Sequence, residues 1–173
     1  YFNLKPLRAL TSFDQHPVPH DPDSQNFIDA TGIVFERDLD QAAFAIHRMA
    51  DPRGPNGTVA YSEVFQGRFN GLRLTAYLEA QSSALEQYAG HEIYSLTHDG
   101  RTVRVALLGY DMVAVSNTPT TEQIHSMIDR YHAAASPFTG DTLLTKYYSK
   151  VPLLSEAWGI GELGLPFGSE QQL

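Results

Sequence analysis

Hydrophobic and polar positions change period several times along the chain. From Asp40 to Met49 they alternate: Ala42, Phe44 and Ile46 point one way, Ala43, Ala45 and His47 the other, which predicts a strand. Thr58 to Gln66, rich in Val, Tyr and Phe, predicts a second. Between them, Asp51-Pro52-Arg53-Gly54-Pro55-Asn56-Gly57 is dense in turn formers and predicts a loop ending in a hairpin-like Asn-Gly. Three further strands are predicted at His91 to Thr97, Val103 to Leu108 and Met112 to Ser116. The turns Asp99-Gly100 and Gly109-Tyr110-Asp111 join them, and connections this short require antiparallel neighbours. Ala157 to Leu163 reads as a last strand, and Gly159-Ile160-Gly161-Glu162-Leu163-Gly164 within it as a kink.

Helical periodicity interleaves with these strands. Asp23 or Ser24 can cap a short helix over Gln25 to Ala30, stopped by Gly32. Asn70 can cap another running to about Gln81, with Leu74, Tyr77 and Leu78 as its inward stripe. Thr118-Pro119 is a start signal for a helix to about Ala135, in which Ile124, Met127, Ile128 and Tyr131 follow helical spacing. A last helix over Asp141 to Lys150 has its acid in front and Lys146 and Lys150 behind, as the macrodipole favours; Pro152 stops it. From Thr58 onward the order approximates the βαββαβ plan of a ferredoxin-like sandwich with an extra strand. The expected class is therefore α+β, an antiparallel sheet with helices on one face. Residues 1–22, with Pro6, Pro17, Pro19 and Pro22, read as an extended N-terminal arm, and residues 23–173 as a single domain.

Composition narrows the function classes. The 173 residues carry 20 acidic and 12 basic side chains, a formal charge of −8, which argues against the basic stripe a nucleic-acid binder needs. The absence of cysteine excludes disulfide scaffolds, thiolate zinc sites and cysteine nucleophiles. No apolar run reaches the 18 or so residues that a spanning helix requires. The chain opens Tyr1-Phe2-Asn3-Leu4 without a methionine, and one expectation is that a signal peptide or anchor has been removed. The end after Phe167-Gly168 is compatible with one part of a longer polypeptide.

Candidate chemistry is sparse. Nucleophile-elbow, HExxH, P-loop, GxGxxG and EF-hand patterns are all absent. His125, Asp129 and His132 form a column on the flank of the predicted long helix, about a quarter-turn from its apolar stripe. Three groups strung along two turns cannot all reach one small ion, so the expectation is a polar flank with a local His–Asp hydrogen bond and no metal. His16-Pro17-Val18-Pro19-His20 places two imidazoles in a stiff segment that points them apart. Glu36, Asp38 and Asp40, with Arg37 among them, read as a solvated turn, with a weak cation site as the alternative. Tyr147 and Trp158 stand among the aromatics of the last third; if they line a cleft, that cleft is the default ligand pocket. The candidate ligand-binding residues are thus His125, Asp129, His132, Tyr147 and Trp158, with no catalytic residue and no cofactor.

The succession Phe27-Ile28-Asp29-Ala30-Thr31-Gly32-Ile33, Asp38-Leu39-Asp40, Gln66-Gly67-Arg68-Phe69, Ala89-Gly90-His91-Glu92-Ile93-Tyr94 and Met112-Val113-Ala114-Val115-Ser116 resembles a pattern in uncharacterised bacterial extracytoplasmic proteins. These carry α+β modules behind a signal or membrane anchor. The resemblance covers about residues 24–135 and implies a periplasmic or membrane-anchored location; it defines no catalytic residue. The expected function is a non-enzymatic exported module binding a protein partner or a cell-envelope component, with a homodimer through a sheet edge as one mode. The competing expectation is a small-molecule enzyme or sensor of the dimeric α+β barrel kind. Its open sheet face would take a hydrophobic or haem-like ligand, with His125 or His132 as ligand or acid–base group.

Overall fold

The computed structural model describes residues 1–10, 19–47, 60–134 and 140–161. Its centre is a seven-stranded antiparallel sheet. In chain order the strands are β1 (Phe2–Asn3), β2 (Leu39–His47), β3 (Ala60–Gly67), β4 (Ala84–Tyr88), β5 (His91–His98), β6 (Arg101–Leu107) and β7 (Met112–Ser116). Their spatial order is β1-β2-β3-β7-β6-β5-β4. The helices are α1 (Lys5–Leu10), α2 (Pro22–Thr31), α3 (Phe35–Asp38), α4 (Gly71–Gln81), α5 (Glu122–His132) and α6 (Leu143–Tyr147), the last continued by a 3₁₀ turn over Tyr148–Lys150. After β3 the chain crosses the sheet through α4 to the far edge. It then returns strand by strand as the meander β4-β5-β6-β7 until β7 pairs with β3.

The α+β class and the antiparallel meander stand, but the sheet is larger than the four strands of a ferredoxin-like plan. After α5 no further strand joins it among the described residues. Ala157 makes only an isolated bridge to Phe2 where a strand over Ala157 to Leu163 is expected, and residues 162–163 of that span lie outside the described residues. The helices also occupy both faces rather than one. Adjacent residues of a strand point to opposite sides, and the core divides accordingly. Tyr94, Val105 and Val113 pack with Leu74 and Leu78 of α4 and with Ile33 after α2. Their neighbours Ile93, Ala106 and Ala114 pack with Ile124 and Ile128 of α5.

Local chemistry explains several shifted boundaries. α2 starts early because Asp21 is its cap, accepting from Ser24 N at 3.0 Å, with Pro22 in the first turn; Gly32 ends it at φ 75°. α4 matches its predicted span, with Asn70 Oδ1 accepting from Arg73 N at 3.1 Å. α5 begins at Glu122 rather than at Pro119. Arg104 Nη1 donates to the Thr118 and Thr120 carbonyls at 2.9 and 3.3 Å, holding that segment as a non-helical turn. The N-terminal arm is not simply extended: Phe2 and Asn3 pair with Ala42 and Gln41, and Lys5–Leu10 is helical. Proline is tolerated in a first helical turn, and Arg8 anchors α1 by donating to the Arg37 and Leu39 carbonyls at 2.8 and 2.9 Å and to Asp40. The predicted loop at 51–57 and the remainder of the arm, residues 11–18, lie outside the described residues.

Candidate functional site

The hairpin β4–β5 turns through Ala89 and Gly90, both at positive φ (47° and 82°), the geometry of the tight turns that suit strand twist. Side chains of one face of this hairpin meet the flank of α5. Glu86 Oε1 lies 2.5 Å from His125 Nε2. The Tyr88 ring stacks on the His125 ring, centroids 3.7 Å apart and planes within 2°. Tyr88 Oη donates to Asp129 Oδ2 at 3.0 Å, and that carboxylate raises the phenol above its ordinary range. At the end of the helix, His132 Nε2 lies 2.7 Å from His91 Nε2, while His91 Nδ1 faces the Leu107 carbonyl oxygen at 2.8 Å.

The predicted column His125, Asp129, His132 is therefore one surface, but its partners are Glu86, Tyr88 and His91 rather than one another. The expected local His–Asp hydrogen bond is replaced by contacts across to the sheet. β4 was not predicted: Ala84-Leu85-Glu86-Gln87-Tyr88 has no β-branched residue, and only its pairing with β5 makes it a strand. The period-two division, Leu85 and Gln87 against Glu86 and Tyr88, was the signal available. Among the described residues no three His, Asp or Glu side chains converge as a metal cage.

Tyr147 and Trp158 do share a cleft, away from the α5 flank. It has a volume of about 540 Å³ and is lined by Tyr147, Lys150, Val151, Pro152, Ser155 and Trp158 among others. The Trp158 indole stacks on Tyr1 at 5.7 Å and meets the edge of Tyr148 at 5.4 Å, and Lys150 Nζ sits 5.1 Å over the Tyr147 ring. No histidine or carboxylate is among its described lining residues.

The acidic cluster is not a solvated turn. Asp38 is buried and accepts from Val34 N at 2.9 Å and from Arg37 Nε and Nη2 at 2.9 and 2.6 Å. Burial pushes its carboxyl up, but these bonds and the charges of Arg37 and Arg68 outweigh that and hold it below the usual carboxylate value. Asp40 is held down by Arg8, and Glu36 faces His20 at 3.4 Å. A half-buried Ser–His contact also escaped prediction: His47 Nε2 lies 2.8 Å from Ser62 Oγ, which Gln123 Nε2 approaches at 3.4 Å. Burial lowers the His47 imidazole below its ordinary value.

The two edges of the sheet differ. Beyond β1 the chain is covered: Asn3 N donates to the Glu156 carbonyl at 2.6 Å and Trp158 N to the Tyr1 carbonyl at 3.1 Å. β4 pairs only with β5 among the described residues. Tyr88 and His91 flank a two-residue turn and form its closing hydrogen-bonded pair, so alternation turns the N–H and C=O groups of Leu85 and Gln87 outward. Natural sheets blunt such edges with proline, lysine or a bulge. β4 has none of these, and its one charge, Glu86, is engaged by His125.

Compared with known proteins, the chain matches no family model, no curated protein and no solved structure. No described helix is long and apolar enough to cross a membrane.

Proposed function

We propose that this protein is a non-enzymatic, exported α+β module that binds a partner protein by taking an extended segment onto the edge of β4. The unblunted edge carries the reading: outward backbone groups at Leu85 and Gln87, beside a Leu85 side chain that is 54% exposed, form a template for strand addition. Export rests on the resemblance to extracytoplasmic proteins. The enzyme or sensor reading has less support. The sheet from β5 to β7 is packed on both faces, His125 is engaged with Glu86, and the aromatic cleft presents no histidine among its described lining residues.

A displayed library of random peptides, selected on the intact protein, tests the edge. Proline at an outward-facing position removes one edge donor without touching the bonds to β5. Selected peptides are expected to bind Gln87→Pro about tenfold more weakly, the worth of about one hydrogen bond and its neighbouring contact. Peptides that bind both forms equally, or a library that yields no binder, overturn the reading. A concentration-dependent dimer that Gln87→Pro abolishes would make the occupant a second copy and overturn the partner assignment.

The aromatic cleft favours a second reading, a cell-envelope component as ligand, because Trp158 and the Lys150–Tyr147 pair present ring faces and a cation together. Soluble envelope fragments would then bind the wild type and Gln87→Pro but not Trp158→Ala.

A further inference from the structure

We infer that His91 and His132 form a two-imidazole site for a late first-row divalent cation such as Zn²⁺ or Cu²⁺, at the open end of the α5–hairpin contact. The inference is independent of the edge reading. His91 is preorganised as a ligand. With its Nδ1 2.8 Å from the Leu107 carbonyl, the proton belongs on Nδ1, and the Nε2 lone pair is left facing His132. A backbone carbonyl that holds one ring nitrogen while the other points at an open position is the usual outer-shell arrangement of a metal-bound histidine. The ring leaves a regular strand, and the ring of Tyr131 stands edge-on to it at 6.2 Å.

His132 supplies the second nitrogen from the last turn of α5, an 11-residue helix whose C-terminal dipole favours a cation there. It is exposed, so a hydrated ion can reach it and water can fill the remaining coordination positions. The 2.7 Å between the two Nε2 atoms is a hydrogen-bond distance. Two imidazoles on one tetrahedral ion at about 2.0–2.1 Å stand about 3.3 Å apart, so the rings must open by about 0.6 Å. Rotation of the exposed His132 side chain opens the pair, and its proton moves from Nε2 to the solvent-facing Nδ1, so that both Nε2 lone pairs face the ion. Imidazole pairs suit copper, nickel and zinc, whereas magnesium and calcium prefer oxygen. The helical column by itself could not meet one ion; the sheet supplies the second ligand that sequence spacing did not announce.

The test uses the untagged full chain, freed of metal with a chelator, and titrated with Zn²⁺ by calorimetry and with Cu²⁺ by electron paramagnetic resonance. The wild type is expected to bind one equivalent with two nitrogen ligands on Cu²⁺. His132→Ala and His91→Gln should each weaken binding about tenfold or more, whereas His98→Ala, which removes an exposed imidazole on another turn, should leave it unchanged. Circular dichroism shows whether each variant keeps its fold, and His132→Ala, at an exposed helix end, serves if His91→Gln does not. Wild type and the His91→Gln/His132→Ala double variant behaving alike, whether both bind or neither does, overturns the assignment. A Cu²⁺ spectrum with one nitrogen ligand overturns it too.

Discussion

The two halves of the sheet are built differently. From β7 to β5 each strand is packed on both sides: Ile93, Ala106 and Ala114 are fully buried against α5, while Tyr94, Val105 and Val113 are buried against α4 and Ile33. From β1 to β2 the same alternation leads to solvent. Phe44 and Ile46 are each 53% exposed and Phe2 41%, with Phe2 and Phe44 stacked on one another at 5.7 Å. Strand pattern alone does not make a core; a covering layer does. β3 lies between the regimes, with Ala60, Ser62 and Gly67 buried and Glu63 paired with exposed Phe44 on one side and half-buried Val115 on the other.

The sharpest way to break this comparison is truncation on each side. Ile128→Ala should cost about 2–5 kcal/mol in urea unfolding, as for a fully buried aliphatic side chain, whereas Phe44→Ala or Ile46→Ala should cost less than about 1 kcal/mol. Equal losses would mean that β2 is as well covered as β7. Gly67→Ala tests where the halves join α3. A Cβ there would stand 2.2 Å from the Asp38 carbonyl oxygen, so the backbone must shift, at about 1–3 kcal/mol by the same measurement.

Titration sharpens the comparison with smaller effects. The Asp38 carboxyl is held below its ordinary value of 3.8 in the folded state, so the unfolded chain binds the proton first on acidification. Its stabilisation is present above about pH 4 and is lost below it; Asp38→Asn should flatten that part of the stability–pH curve. Glu63 is displaced the other way, burial raising its carboxyl above 4.5. The folded state then holds the proton longer, stability falls as pH rises through that range, and Glu63→Gln should raise the melting temperature at pH 7. His47, lowered from 6.5 by burial, should make stability decline as pH falls below about 6.5, a slope that His47→Gln removes. Nuclear magnetic resonance titration of the ring protons reads the same shift directly.

Legibility followed the range of the interactions. α4 could be read because Asn70, Leu74 and Leu78 are a cap and a stripe within one segment. The hairpins β5–β6 and β6–β7 could be read because their turn residues adjoin their strands. β4 and α1 could not: one is a strand only because β5 pairs with it, the other is held by Arg8 reaching Arg37, Leu39 and Asp40. The column His125, Asp129, His132 was visible as spacing, whereas its partners Glu86, Tyr88 and His91 come from 37 to 41 positions away.

By itself, then, the sequence determined which segments are strands or helices wherever cap, turn and periodicity fall inside one stretch, because those energies act between near neighbours. It also determined that an antiparallel sheet would result, since two- and three-residue connections permit nothing else. Only the tertiary structure decided that α4 and α5 take opposite faces, that β4 becomes an open edge, and that two histidines 41 positions apart meet nitrogen to nitrogen. Those outcomes depend on which apolar stripe reaches which side of the sheet, a choice made by packing at long range and invisible to any local pattern.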